Sequence, residues 1–335
     1  MSRLDLIGCG ALNLDLIYRL PDGFPLWGEL PARGSEEALS EALRAQLDEA
    51  LATVECHRSG GGQAANVVYA LRRLGFAAAM LGRVGEDDDG SYLCDELGRD
   101  ATRYVAHQGQ TGRVYVLLDE GGERRNLVWP AANDQFSPAD LPRRLPNARV
   151  AYFTSFVGQE PLQAQLELLR RLPTNVDVAF DPGELYARRG VKRFMPLLRR
   201  TTYLFATETE LELMCGVHLE EAISFMLNVG VGLVVCKMGV RGARLIARRG
   251  EMYVPPSPVE GVDVTGAGDL FAAGFLAAVL RGLDLEAAGH LAAWAAAQGI
   301  GGFGRSAYPD ASAWSGRAAE EQRLRESGGT VKGLR

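Results

Sequence analysis

The sequence predicts an α/β protein in which a mostly parallel sheet has helices on both faces and carries a small β-sheet lid. From about residue 148 onwards, apolar segments with strand character alternate with helical segments; these strands are 149–154, 176–180, 202–206 and 232–236. Such alternation is typical of parallel sheets covered by helices. The N-terminal half departs from it, because 113–118 and 124–129 flank the turn sequence EGG and have the pattern of a β-hairpin. We therefore expect an α/β/α core with a β lid.

The N-terminal segments supply the remaining elements of this prediction. Residues 4–8 are apolar and predict a first, buried strand. Ser35 has the character of a helix N-cap, and leucines at helical spacing predict an amphipathic helix over 36–52. A strand at 53–58 and a second amphipathic helix at 63–74 are expected to follow.

We predict one domain over residues 1–326, with lid segments at about 11–35 and 108–130 inserted in it. The last stretch, 327–335, is polar and rich in glycine, which is typical of a flexible tail.

Composition narrows the classes of function. The chain of 335 residues has a net charge of −6 and no basic block, so we expect no nucleic-acid partner. No apolar run is long enough to span a membrane, and the first twenty residues do not resemble a secretory signal. The five cysteines are scattered and the four histidines lack metal-ligand spacing. These features predict a cytoplasmic protein with small-molecule ligands.

The strongest chemical motif is the heptapeptide DVTGAGD at 263–269, followed by a helix of apolar and small residues. A Gly-Ala-Gly turn at a helix start leaves backbone N–H groups unpaired, and these suit a phosphate or a developing oxyanion. Asp269 would lie in the first turn, beside that anion site. A structural role in the helix dipole would explain Asp269 alone, but it would not explain the whole heptapeptide.

Two further segments have polar side chains where an α/β protein binds ligands. Gly61 and Gly62 open the predicted helix at 63–74, and Asn66 lies in its first turn. Asn13 and Asp15 follow the first strand, and the carboxyl ends of strands are where ligands bind in open α/β sheets. A carboxylate and amides of this kind suit the hydroxyls of a polyol. Glycines for a tight turn and a local hydrogen bond of Asn66 are the alternative interpretation.

Together, these segments resemble the ribokinase-like (PfkB-type) carbohydrate kinases over nearly the whole chain. The Gly61–Asn66 segment is similar to that family's first signature, and residues 263–269 are similar to its second. Lys237, Gly239 and Gly242 resemble its nucleotide-side glycine segment.

The resemblance implies a three-layer ribokinase-like core and an ATP-dependent phosphorylation of a hydroxymethyl group. Asp269 would be the general base, and the amides of Gly266, Ala267 and Gly268 would form the anion hole. Magnesium would bridge the ATP phosphates through water. A monovalent cation such as potassium would lie near Asp263 and Thr265. Physically, phosphoryl transfer needs in-line positioning and charge neutralisation.

The resemblance also implies the substrate and nucleotide contacts, with two departures from the family pattern. Asn13, Asp15, Gly61, Gly62 and Asn66 would bind the acceptor. The family's Asn-x-x-Glu motif is Thr207 to Glu210 here, and the second signature has Val264 where Thr is common. We expect Glu210 to hold magnesium through water and Thr207 to lie on the nucleotide side.

The acceptor is left open between a sugar and a nucleoside. Arg113 and Trp129 on the lid hairpin are candidate selecting residues, and each is equally explained as an ordinary strand residue. We expect the lid to close over the acceptor, and its outer edge to form a homodimer surface.

Two other classes of function compete with the kinase. A dinucleotide-binding oxidoreductase would explain GIGGFG at 299–304, but that glycine pattern follows a helix, whereas the fingerprint needs a strand. A loop of the nucleotide pocket containing Gly304 fits better. A catalytically silent sugar or nucleotide sensor is the second rival; the substitution at Thr207 favours it, and the retained Asp269 argues against it.

Overall fold

The computed structural model describes residues 3–32, 34, 36–258, 266–301 and 304–327, with side chains up to residue 323. The strands are β1 (Leu4–Cys9), β2 (Asn13–Arg19), β3 (Glu36–Ala38), β4 (His57–Gly61), β5 (Ala78–Val84), β6 (Tyr104–His107), β7 (Gly112–Leu118), β8 (Arg124–Trp129), β9 (Ala148–Thr154), β10 (Asp177–Asp181), β11 (Tyr203–Thr207), β12 (Leu233–Lys237), β13 (Ala243–Ala247) and β14 (Gly250–Val254).

The helices alternate with these strands through the second half of the chain. They are α1 (Glu41–Ala50), α2 (Gln63–Arg73), α3 (Asp88–Leu97), α4 (Arg99–Thr102), α5 (Glu160–Arg171), α6 (Gly183–Ala187), α7 (Met195–Leu198), α8 (Glu208–Cys215), α9 (Leu219–Val229), α10 (Ala267–Leu280), α11 (Leu285–Gly299) and α12 (Ala311–Ser327). Within the described ranges, no helix is both long and apolar enough to cross a bilayer.

The larger sheet has the strand order β14-β13-β12-β11-β10-β9-β1-β5-β6. Its strands from β12 to β6 are all paired in parallel, and only β13 and β14 join antiparallel at one edge. The predicted strands at 149–154, 176–180, 202–206 and 232–236 are therefore confirmed within one residue at each end as neighbours in a mostly parallel sheet.

Two apolar cores lie on the two faces of this sheet. Leu6 of β1 packs with α2, α10 and α11, whereas the next residue, Ile7, packs with α5, α8 and α9. Successive side chains of a strand point to opposite faces, so a strand buried on both sides is apolar throughout. This arrangement confirms the predicted three-layer α/β/α core.

The smaller sheet has the order β3-β8-β7-β2-β4 and forms the lid. The predicted hairpin is present as the antiparallel pair β7 and β8. The lid includes more of the chain than the predicted segments, because β3 and β4 also belong to it. Its two edges are β3 and β4, and dimerisation through them stays a prediction.

The predicted helix over 36–52 is wrong at its start. Glu36–Ala38 is β3, which pairs in parallel with β8, and the helix begins only at Glu41. Ser40 is the N-cap, since its Oγ accepts a hydrogen bond from the Leu43 amide at 3.3 Å. Pairing with a neighbouring strand has overridden the local helical pattern here.

Helix α1 covers the outer face of the lid. Leu47 is fully buried there against Leu16, Tyr115 and Leu127. The opposite, inner face carries a separate apolar cluster with Val114, Val116 and Val128. The lid is therefore a two-sided sheet whose inner face looks toward the core.

Candidate active site

A cavity of about 810 Å³ lies between the inner face of the lid and one edge of the core. The core lines it with the loop after β1, the start of α2, the ends of β11 and β12, and the start of α10. These are carboxyl ends of strands and amino ends of helices, the positions at which α/β sheets bind anionic ligands.

Asp269 lies in the first turn of α10 and faces the cavity with only 8% of its surface exposed. Its Oδ2 accepts a hydrogen bond from Nδ2 of Asn66 at 2.7 Å. Burial raises the pKa of Asp269 to about 7; the Asn66 bond and the charges of Lys237 and Arg305 lower it, and Asp181 raises it further. A carboxylate with a pKa near neutrality suits a general base.

The turn before α10 brings backbone amides to the same place. Gly266 is the N-cap residue with φ of 75°, a conformation that favours glycine. Gly266, Ala267 and Gly268 all line the cavity beside Asp269. Because the first N–H groups of a helix have no partner within the helix, they can receive an anion there.

The second glycine segment joins the lid to α2. Gly61 pairs with Asn13 across β4 and β2, and Gly62 begins α2 with φ of 94°. A Cβ atom at Gly61 would lie 2.2 Å from Cγ of Asp15. Glycine at this position therefore leaves room for the Asp15 carboxylate.

Asp15 lines the cavity from the inner face of the lid. Its Oδ1 is buried and has no hydrogen-bond partner within the described residues. Burial raises the pKa of Asp15 to about 7, against the lowering effect of Arg305. Beside it, Oδ1 of Asn13 accepts a hydrogen bond from Asn133 at 2.8 Å. A buried acceptor atom without a partner, on a residue that lines the cavity, is a candidate site for a ligand hydroxyl.

The other end of the cavity carries an ion pair and a helix cap. Lys237 at the end of β12 donates to Oδ2 of the fully buried Asp181 at 2.7 Å. Burial lowers the pKa of Lys237, but Asp181 and Glu210 together raise it above its usual value. Thr207 and Glu210 form a capping box at the start of α8, with the Thr207 amide donating to Glu210 at 2.7 Å.

Comparison with known proteins identifies the family. The pfkB family carbohydrate kinase model matches residues 37–310. The chain belongs to this family. It is 32% identical over 243 residues to an uncharacterized sugar kinase of Archaeoglobus fulgidus, covering 70% of this chain and 95% of that protein. It is 34% identical over 261 residues to an ATP-dependent ribose-1-phosphate kinase of Halopiger xanaduensis, covering 76% of this chain and 85% of that one.

The fold agrees with this assignment. A probable sugar kinase of Rhizobium etli superposes with a TM-score of 0.82 at 24% sequence identity, covering 97% of this chain and all of that one. The protein is thus a sugar or nucleoside kinase of the ribokinase family. Kinases of this family use ATP, with Mg²⁺ as the usual partner ion.

Most of the site residues that were predicted from the sequence line this cavity. They are Asn13, Asp15, Gly62, Asn66, Thr207, Glu210, Lys237, Gly239, Gly242, Gly266, Ala267, Gly268 and Asp269. The first and second signatures, about 200 residues apart in sequence, meet in the hydrogen bond between Asn66 and Asp269. Asp263 and Thr265, the predicted monovalent-cation ligands, lie outside the described residues.

Arg113 was predicted to contact the substrate, but its side chain points away from the cavity. Val114 and Val116 of β7 face the cavity, so the alternation of side chains turns Arg113 to the outer side of the lid. There it donates to Oδ2 of Asp89 at 2.7 and 2.9 Å. Trp129 likewise faces outward, where its Nε1 donates to Glu41 of α1 at 2.6 Å.

Two of the predicted glycines act beside the cavity without lining it. Gly61 makes room for Asp15, as described above. Gly304 has φ of 54°, and a Cβ atom there would lie 2.4 Å from Oγ of Ser59. It therefore packs against the lid strand β4 and is not part of the nucleotide end of the cavity.

Sequence reasoning missed several polar groups of this PfkB site. Asp181 follows the apolar core of β10, so the same strand-end signal that indicated Asn13 and Asp15 would have found it. Gln63 opens α2 and donates to Asp181 at 3.4 Å. Arg305 has no such signal, because it reaches the site from a loop 239 residues beyond Asn66.

Proposed function

We propose that this protein transfers the γ-phosphoryl group of ATP to a hydroxymethyl group of a sugar or sugar-like acceptor. The observation that carries the proposal is the Asp269 carboxylate, held by Asn66 at 2.7 Å in the first turn of α10. It is the only carboxylate in the described part of the cavity that belongs to a glycine-flanked helix start. The carboxylate of Asp269, as the base, is therefore next to the backbone amides at the start of α10, which would bind the anion.

In the proposed reaction, Asp269 accepts the proton of the acceptor hydroxyl as the hydroxyl oxygen forms its bond to the γ-phosphorus. The bond from the γ-phosphorus to the bridging oxygen of ADP breaks, and ADP leaves with that electron pair. The amides of Gly266, Ala267 and Gly268 donate to the oxygens of the transferring group. These groups are fixed before the reaction, so they stabilise the developing charge without reorganising.

The nucleotide would lie at the end of the cavity that carries Lys237, Gly239 and Gly242. Lys237 supplies a positive charge that the pair with Asp181 holds in place. Gly239 and Gly242 adopt φ of 58° and 83°, so a tight turn without side chains borders this end. Thr207 adjoins it through the capping box with Glu210.

Magnesium fits this end of the cavity. Mg²⁺ is commonly bound by one or two carboxylates together with phosphate oxygens and water, and Glu210 is a carboxylate that lines the cavity. Glu210 would hold the water shell of the ion, which neutralises phosphate charge when bound. Burial raises the pKa of Glu210 above its usual value, and the charge of Lys237 offsets this rise only in part. Potassium near Asp263 and Thr265 remains an expectation from the family resemblance.

The acceptor would bind between Asn66 and the lid. Asp15 offers a buried acceptor oxygen to hydroxyls, and Asn13 lies next to it. Beyond these polar groups the lid presents Val114, Val116 and Val128, an apolar surface that a nucleobase also suits. A nucleoside is therefore the second candidate acceptor, on the strength of that surface.

A panel assay tests this proposal. Purified protein is mixed with ATP, Mg²⁺ and one acceptor at a time, and ADP release is measured by a coupled reaction. The panel contains pentoses, fructose and adenosine. It also contains ribose 1-phosphate, because one relative is named for that substrate and Arg124 on the lid lines the cavity.

We expect acceptor-dependent ADP release with at least one member of the panel, and loss of that release in Asp269→Asn. Phosphorylated product must appear in equal amount to ADP. If ATP and acceptors bind but no acceptor stimulates ADP release, the silent-sensor alternative replaces the kinase proposal.

A further inference from the structure

Arg305 is a buried cation beside the active site, and it belongs to neither of the two glycine-rich signature segments. It lies in the loop between α11 and α12 and has only 4% of its surface exposed. Its guanidinium lies 4.9 Å from the ring centre of Tyr69 and is ion-paired with Glu96 of α3. A buried guanidinium with several fixed partners is held in one orientation.

Arg305 packs closely against Gly60 and leaves no room for a Cβ atom there in its present position. A Cβ atom at Gly60 would lie 2.3 Å from Nη1 of Arg305 and 2.0 Å from Oε2 of Glu96. Nη2 of Arg305 also donates to the backbone oxygen of Gly61 at 3.5 Å. The side chain thus passes directly under the glycine segment that joins the lid to α2.

Nε of Arg305 donates to Oδ1 of Asn66 at 3.0 Å. On its other side, Nδ2 of Asn66 donates to Oδ2 of Asp269 at 2.7 Å. An arginine side chain has only donors, so it can bind only the oxygen of the amide. A flipped amide would place two donors together at Arg305 and two acceptors together at Asp269. Arg305 therefore decides which way the amide of Asn66 points.

We propose that Arg305 is a positioning residue for the base: by binding Oδ1 of Asn66, it fixes the amide whose Nδ2 orients the carboxylate of Asp269. The inference rests on the proposed role of Asp269. Arg305 touches neither the acceptor nor the nucleotide in this account, since it is absent from the residues that line the cavity. Its effect on the orientation of the base passes through Asn66, and its charge also acts on Asp269 and Asp15 directly.

The charges around Asp269 agree with this role. The groups whose hydrogen bond or charge acts on Asp269, or on which Asp269 acts, are Asn66, Asp181, Lys237, Arg305, Tyr308, Tyr152 and Glu36, with Asp15 on the lid. Among them, Asn66, Lys237 and Arg305 lower the pKa of Asp269, and burial raises it. Loss of Arg305 removes a positive charge and frees the Asn66 amide, and both changes raise that pKa.

The test is a double-mutant cycle with Arg305→Met and Asn66→Ala, measured as kcat and both KM values across pH. Arg305→Met is expected to lower kcat roughly tenfold, the worth of one charge-assisted hydrogen bond, with the KM for ATP nearly unchanged. The acidic limb of the kcat profile should move to higher pH, because the base must be ionised to act. In the Asn66→Ala background, Arg305→Met should lower kcat by a much smaller factor.

Two further variants make the result decisive. Arg305→Lys keeps the charge beside Glu96 and should retain more kcat than Arg305→Met, which guards against simple misfolding. Arg73→Met is the matched control, because Nε of Arg73 donates to the backbone oxygen of Tyr308 at 3.1 Å and ties α2 to the same loop without contacting Asn66. It should leave kcat and its pH profile unchanged.

The inference would be overturned if Arg305→Met lowered kcat by the same factor in the wild-type and Asn66→Ala backgrounds. It would also be overturned if Arg305→Met changed only the thermal stability or only KM. The base assignment is tested separately. If Asp269→Asn abolishes turnover while Arg305→Met keeps the wild-type kcat and pH profile, only the role of Arg305 fails. If Asp269→Asn keeps normal turnover, the proposed function fails with it.

Discussion

The two walls of the cavity differ in how their polar groups are held. On the core side, Asp269 is bonded to Asn66 and Lys237 is bonded to Asp181, so each functional group has a fixed partner. On the lid side, Asp15 has a buried oxygen without a partner in the described chain, and the valines of the inner face line the same cavity. Preorganised groups suit chemistry, and unpaired groups suit a ligand that arrives later. We therefore assign phosphoryl transfer to the core and recognition of the acceptor to the lid.

The largest expected effect is at the base. Asp269→Asn should lower kcat by ~10²-fold or more while ATP still binds, because a positioned general base contributes that much. The control is Asp284→Asn at the N-cap of α11, which does not line the cavity and should leave kcat unchanged. Near-normal turnover by folded Asp269→Asn protein would contradict the assignment of the chemistry to the core.

Asp15→Ala should act on binding of the acceptor. Losing charge-assisted bonds to a hydroxyl raises the acceptor KM by roughly tenfold to a hundredfold, with the KM for ATP little changed. Steady-state kinetics with each substrate varied in turn measure both values, and Glu37→Ala on the exposed side of β3 is the control. An equal rise in both KM values would mean that Asp15 is not specific to the acceptor.

A smaller effect concerns stability and its dependence on pH. The pKa of Asp15 rises from 3.8 to about 7 on folding, chiefly through burial. A raised carboxyl pKa means that ionisation destabilises the fold, and this penalty grows as pH rises between those two values and then levels off. Asp15→Asn should therefore raise Tm by about 2 °C or more at pH 8, with little difference from wild type near pH 4. Calorimetry that finds the same difference at both pH values would contradict this account.

The smallest effect concerns motion of the lid. We expect the lid to close over the acceptor, since a poised phosphoryl group reacts with water in an open site. Hydrogen exchange with and without acceptor should show more protection in 11–20 and 113–129 and little change in 148–206. If the hydrogen-exchange rates of the two lid segments are the same with and without the acceptor, the lid does not close over it.

The sequence predicts the core of this protein better than it predicts the lid. The core strands and the meeting of both glycine signatures follow from local patterns, because strand ends and helix starts carry the ligand groups. The lid is harder, since β3 is a strand only through its pairing with β8, and Arg113 faces away from the cavity through the pleat of β7. Arg305 could not be predicted, because its contact with Asn66 exists only in the folded chain.

The central claim is that the core carries the chemistry and the lid carries recognition, and Val116→Thr tests it most directly. Threonine keeps the shape of valine but places a hydroxyl on the apolar inner face of the lid, so the contact with the acceptor changes and the catalytic groups do not. Measured against acceptor concentration, the variant should show a changed acceptor KM and a kcat within about threefold of wild type. A kcat that falls as far as that of Asp269→Asn, with the acceptor KM unchanged, would contradict the account.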